Sequence, residues 1–165
     1  MFSIQRGYRP GAIGRVAELH GRYYAQHWQF GAFFEAKVAS ELAEFITRYD
    51  GERDAFWMVS QADNIEGSVT IDGIHADNEG AHLRWFIMSD ALRGQGLGKQ
   101  LIAEAVAFCR SKNYQRIYLW TFAGLHAARK LYEQAGFVLD REQSGKQWGT
   151  EVPEQRFVLK LSELA

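Results

Sequence analysis

The stretch Arg93-Gly94-Gln95-Gly96-Leu97-Gly98-Lys99 limits the fold of this chain more than any other. It lies between an apolar strand-like run at residues 81–88 and a helical pattern. The apolar stripe of that pattern is Leu97, Leu101, Ile102, Ala105, Phe108 and Cys109. A strand, a glycine turn and a helix in immediate succession point to an α/β layered domain. A helix N-terminus exposes unpaired N–H groups and a partial positive charge. Glycines let that backbone approach a phosphate closely, and Arg93 and Lys99 add charge beside it. Residues 93–99 therefore read as an anion cradle, best suited to a diphosphate. The alternative is a glycine-rich turn with no ligand. Two nucleotide motifs fail here. The dinucleotide fingerprint needs its third glycine one residue later, and the P-loop needs a glycine where Arg93 stands and a Ser or Thr where Gln100 stands.

The rest of the chain supports a mixed sheet. Helical spacing of apolar residues predicts helices over about 13–26 and 33–49, the second stopped by Asp50-Gly51-Glu52. Strand patterns follow at 55–59, 67–72 and 81–88, the first two as an antiparallel hairpin. Alternation along the third puts Leu83, Trp85 and Ile87 on one face and His82, Arg84, Phe86 and Met88 on the other. After the glycine-led helix come a strand at 117–120 and a short helix at 127–134, closed by Gly136. Strands at 137–139 and 155–161 complete the order.

Composition excludes several classes. The 165 residues suit one domain, with 47 % hydrophobic and 24 % charged side chains, values of a soluble globular protein. Nineteen basic and twenty acidic residues lack the basic excess of a nucleic-acid binder. The N-terminus lacks the apolar core of a signal peptide. No apolar run approaches the ~18 residues of a membrane helix. A cytoplasmic protein with no membrane or nucleic-acid partner is expected. The single cysteine, Cys109, forms no intramolecular disulfide and sits on an apolar helix face. His20, His27, His75 and His126 show no metal-ligand spacing, so no metal is expected. A serine hydrolase lacks its G-x-S-x-G.

Two motifs together carry a resemblance. Arg93-Gly94-Gln95-Gly96-Leu97-Gly98 fits Q/R-x-x-G-x-G/A. Ala128 with Leu131-Tyr132-Glu133-Gln134-Ala135-Gly136-Phe137 fits an alanine followed by L-Y-x-x-x-G-F. In this order, with a strand between them, they resemble the signatures of the GNAT N-acetyltransferase superfamily, over at least residues 55–161. The implied fold is a mixed, mostly antiparallel sheet of about seven strands flanked by about four helices, here as one domain over 1–165. A narrower resemblance rests on Arg9-Pro10-Gly11, His20-Gly21, Tyr24, Phe34-Glu35, Leu119-Trp120-Thr121, Gln147-Trp148-Gly149 and Glu154-Gln155. These look like acetyltransferase domains fused behind MarR-type DNA-binding domains, and the chain would be a stand-alone relative. Leu125 departs from the family, which commonly has asparagine three residues before the alanine.

The resemblance implies attack of an amine on the thioester of acetyl-CoA, and gives the residues roles. Residues 93–99 and Ala128 would hold the cofactor. The fourth strand of this fold splays from the fifth, so Phe86, Ile87 and Met88 would pair with the pantetheine arm and polarise the thioester carbonyl. Tyr132 stands at the family's tyrosine, as acid for the departing thiolate. His82, eleven residues before Arg93, stands where histone-acetyltransferase-like members carry a glutamate base. Glu35, Glu151 and Glu154 remain alternatives. Keeping a lysine-like amine neutral at pH 7 costs about 4–5 kcal/mol, against about 1 kcal/mol for an α-amine. The aromatic group Tyr23, Tyr24, Trp28, Phe30, Phe33 and Phe34, assigned to the first two helices, would form an acceptor wall suited to a hydrophobic or cationic amine. Tyr24, Trp28, Arg84 and Trp120 are the candidate acceptor contacts. Gln147-Trp148-Gly149 would cap that site or form a homodimer contact. The expected function is acetyl-CoA-dependent N-acetylation of a small-molecule, amino-acid or peptide amine. The rival is a non-catalytic acyl-CoA or metabolite sensor on the same fold.

Overall fold

A computed structural model describes residues 1–161. The elements run β1 (Phe2–Arg6), α1 (Ala12–Trp28), α2 (Ala32–Thr47), β2 (Ala55–Gln61), β3 (Asn64–Asp72) and β4 (Ala81–Met88). A 3-10 turn at Asp90–Leu92 leads into α3 (Leu97–Ser111), followed by β5 (Arg116–Phe122), α4 (His126–Gln134), β6 (Val138–Gly145) and β7 (Val152–Lys160). The strands form one seven-stranded sheet in the order β1-β2-β3-β4-β5-β7-β6. Every neighbouring pair is antiparallel except β4 and β5.

Both faces of the sheet are covered, as β2 shows. Ala55, Trp57 and Val59 pack toward α3, while Phe56 and Met58 pack toward α1 and α2. The period-2 geometry of a strand divides this apolar run between two cores. The predicted stripe of α3 (Leu97, Leu101, Ile102, Ala105, Phe108, Cys109) is wholly buried. Burial pushes the Cys109 thiol up to about 12, so it is an inert core residue. Gly136, at φ +104°, closes α4, with Phe137 N–H donating to the Tyr132 carbonyl.

The structure corrects β4. Its pairing with β3 slips between Ser68, opposite Ile87, and Thr70, opposite Arg84. The extra residue is a bulge at Trp85, whose φ of +49° is unusual for a bulky side chain. The Ser68 hydroxyl donates to the Trp85 carbonyl at 2.7 Å and holds the bulge. Strict alternation therefore fails. Leu83, Phe86 and Met88 pack on the α3 side. Arg84 reaches Glu41 of α2, and Trp85 packs against the α1 and α2 cores. Two neighbouring side chains thus leave the same face, and the strand turns just where the site lies.

Candidate active site

The cradle at the head of α3 has the geometry an anion needs. Gly94 and Gly96 adopt φ of +79° and +75°, which admits glycine without strain. Gly96 is the N-cap and supplies no capping side chain, and the first turn has no acidic residue. The first intrahelical bond is Gln100 N–H to the Gly96 carbonyl. The amides of Leu97, Gly98 and Lys99 therefore point out of the helix end without helical acceptors. Arg93 lies over the Tyr23 ring at 5.1 Å and pairs with exposed Asp90 at 2.9 Å. Such a surface pair is weak and readily exchanged for a phosphate. Lys99 lines the same groove, whereas the Gln95 side chain turns back to the Ala91 carbonyl, leaving its backbone to the turn.

From this cradle a groove of about 600 Å³ runs between α1 and α4. Phe86, Ile87, Met88, Trp28 and Ala128 are among its walls. Trp28 packs on Gly124, whose φ is +111° and where any Cβ would overlap the indole. The groove leads to an opening in the sheet. β4 and β5 pair only at Ala81 with Ile117 and His82 with Tyr118. Beyond that point they diverge and leave β4 an unpaired edge through residues 83–88, where the splay was expected.

A second cavity of about 160 Å³ occupies the opening and shares Tyr24, Phe86, Leu125 and Ala128 with the groove. Its walls include Leu83 and Tyr132 from the α3 side and Phe34, Arg84 and Trp85 from the α2 side. It thus passes through the sheet. Tyr132 is buried among Phe86, Phe137 and Phe157, and its hydroxyl has no hydrogen-bond partner among the described residues. Burial, reinforced by nearby Tyr24, pushes its pKa well above the ordinary phenol value, so it stays protonated at neutral pH. Burial first, then Tyr23, raises Tyr24 in the same direction. His82 stacks on Tyr118 at 4.4 Å. Burial, with Arg84 adding to it, lowers its pKa to about 3, so it is a neutral imidazole at pH 7. Trp120 lines this cavity, and Gln147 and Trp148 close one side of it, Trp148 packing on Phe122 at 5.4 Å.

These features coincide with a family match. The model of the acetyltransferase (GNAT) family covers residues 15–137. The chain belongs to the GNAT acetyltransferase family. It is 29 % identical over 137 residues to N-acetylaspartate synthetase of Homo sapiens, covering 82 % of this chain and 45 % of that protein. It is 31 % identical over 97 residues to the N-acetyltransferase YjgM of Escherichia coli K12, covering 58 % of each. The chain thus spans less than half the length of the human synthetase. A solved acetyltransferase of Salmonella typhimurium, with its cofactor acetyl-CoA, shares the fold: TM-score 0.75 at 14 % identity, over 99 % of this chain and 96 % of that one.

The fold brings most of the expected GNAT site residues together, and it also shows what sequence reasoning missed. Glu35, Glu151 and Glu154 lie outside both cavities. Glu154 is buried and accepts the Gln147 amide at 2.9 Å, which steadies the loop carrying Trp148. Phe33 is 62 % exposed and Phe30 sits between the two helices, so the aromatic wall is Tyr24, Phe34, Phe122 and Trp148 rather than the whole predicted group. His20, Lys37 and Glu41 line the smaller cavity and were not anticipated. Lys37 and Glu41 lie one turn apart on α2, beside the Phe34 and Val38 stripe, a spacing that marks a shared face. Leu125 lines both cavities and presents an apolar side chain to each. Among the described residues no helix is long and apolar enough to cross a membrane.

Proposed function

We propose that residues 1–165 form a single acetyltransferase domain that moves the acetyl group of acetyl-CoA to the amine of a small molecule, amino acid or peptide. The observation that carries this is the groove that runs from the uncapped head of α3 to the β4–β5 gap and adjoins there a cavity lined by Tyr132, whose hydroxyl has no partner among the described residues. The family match, a relative named as an N-acetyltransferase and another named as an N-acetylaspartate synthetase support the same reading.

The cofactor would supply an activated acyl thioester. The amides of Leu97, Gly98 and Lys99, with Arg93 and Lys99, bind its pyrophosphate. The open edge of β4 at residues 86–88 pairs with the arm and polarises the carbonyl. The acceptor nitrogen enters from the smaller cavity in its neutral form and bonds to the acyl carbon as the carbon–sulfur bond breaks. Tyr132 donates a hydrogen bond to the sulfur, which leaves as thiolate and takes its proton from Tyr132 or water. With its pKa raised, Tyr132 stabilises the leaving group chiefly by that bond. His82 is too weak a base to strip a free ammonium. It serves once bond formation has made the nitrogen acidic, so the acceptor sheds its first proton to solvent. Tyr24, Arg84 and Trp120 shape the acceptor side, whereas Trp28, also expected there, lines the cofactor groove.

The test is release of free thiol from acetyl-CoA over a panel of amino acids, dipeptides, polyamines, aminoglycosides and aryl amines, with the product identified by mass. An acetylated amine and stoichiometric thiol are expected. Tight acetyl-CoA binding with silence across the panel favours the sensor, the role suggested by the likeness to MarR-linked acetyltransferase domains. Absence of binding overturns the assignment of the groove.

A further inference from the structure

The smaller cavity is charged as well as aromatic. Arg84 enters it from β4 and Lys37 from α2, and both contact Glu41. The Arg84 guanidinium is firmly placed. It donates to Glu41 at 2.6 Å and Asp72 at 3.3 Å, lies 4.1 Å over the Trp85 ring, and its side chain is only 17 % exposed. A guanidinium carries five N–H donors and an ammonium three. Arg84 uses one on each carboxylate and Lys37 one on Glu41, so among the described residues both have donors to spare. Asp72 stands behind Arg84 and is matched by a two-point contact from Arg48, at 3.0 and 2.7 Å. The charged groups facing the cavity are therefore two cations against the single carboxylate of Glu41. Its two imidazoles, His20 and His82, are neutral at pH 7, with pKa values lowered by burial to about 4 and about 3.

We propose that the acceptor amine also carries a carboxylate, and that Arg84 and Lys37 bind it, which makes amino acids and amino-acid-like amines the substrate class. The inference rests on the acetyl-transfer reading above. The N–H groups that Glu41 and Asp72 leave free on these part-buried cations can be met by a planar carboxylate through charge-assisted hydrogen bonds. The same positive field favours a neutral amine over an ammonium, the form the reaction needs. It opposes polyamines and aminoglycosides, which would bring further positive charge against Arg84 and Lys37.

The test pairs each α-amino acid with its α-carboxamide and its decarboxylated amine in the thiol-release assay. The acids should exceed their amides in kcat/KM by about 30-fold, the scale of a hydrogen bond to a charged group. Lys37→Gln should cut that preference about tenfold, and Lys37→Arg should restore most of it. Arg84→Gln should cut it further. Because Arg84 also holds Asp72, the Lys37 pair decides if that variant does not fold. Equal turnover of amides or simple amines overturns the proposal, as does silence with every acid. A parallel acetyl-CoA titration separates the failures: binding leaves the transferase reading standing, and no binding removes both.

Discussion

Replacing Gly96 tests the anion cradle with a charge and little else. The position is exposed, no heavy atom lies within 4 Å of an ideal Cβ, and its φ is +75°. Gly96→Asn and Gly96→Asp therefore meet no clash and share the same left-handed strain, of about 1 kcal/mol. They differ by one negative charge at the head of α3. In the free protein that charge interacts favourably with the helix end by about 0.3–1 kcal/mol, so the Asp variant should be no less stable than the Asn variant. Toward a phosphate about 5 Å away the sign reverses. Repulsion is about 0.8 kcal/mol in bulk water and about 3 kcal/mol at an effective dielectric of 20. An exposed site between these limits facing two phosphate charges gives about 2 kcal/mol, or about 30-fold in Kd. Calorimetric titration of acetyl-CoA into both variants at low salt reads the ratio, which should shrink as salt screens the charges. Equal affinities would refute the placement of the pyrophosphate at this turn.

Other outcomes follow from particular contacts. Tyr132→Phe removes a hydroxyl with no partner among the described residues, so thermal stability should hold within about 0.5 kcal/mol while kcat falls about 10- to 100-fold; an unchanged kcat would remove Tyr132 from the reaction. Burial lowers the folded pKa of His82 from the ordinary imidazole value of 6.5 to about 3, so the unfolded chain binds more protons between those values. Stability from this residue is thus present above about 6.5 and lost as pH falls, and the melting temperature of His82→Gln should drop less steeply from pH 7 to pH 4. No step from His82 should appear in kcat/KM between about pH 5 and 8. Gly124→Ala forces a Cβ into Trp28 at a φ of +111° and should cost about 2–3 kcal/mol in urea denaturation. The same change made in Trp28→Ala should cost measurably less, because only backbone strain remains.

The parts of this fold that were legible in the sequence are those with strong local signals. The stripe of α3, the glycines around its head and Gly136 after α4 each correspond to a named feature of the structure. β1 was missed because Phe2 and Ile4 are its only large apolar residues and it lies at a sheet edge. The strand expected at 137–139 runs on to Gly145 as β6, because beyond Val138 and Leu139 this edge strand is polar and carries no apolar pattern. The bulge at Trp85 has no glycine or proline to announce it. It depends on Ser68 of the neighbouring strand, a tertiary contact invisible to periodicity. The candidate site divides in the same way. Its cofactor side is contiguous in sequence at residues 93–99, whereas the acceptor cavity takes Lys37 and Glu41 from α2, Arg84 from β4 and Trp148 from a loop. Only the fold brings those four together, so the charge of the cavity was not readable from any one segment.

A crystal structure of the protein with acetyl-CoA tests the central claim most directly. The account predicts the pyrophosphate within hydrogen-bond distance of the amides of Leu97, Gly98 and Lys99, the arm along residues 86–88 of β4, and the sulfur within reach of the Tyr132 hydroxyl. A cofactor seated elsewhere, or one whose thioester does not enter the gap between β4 and β5, would contradict it.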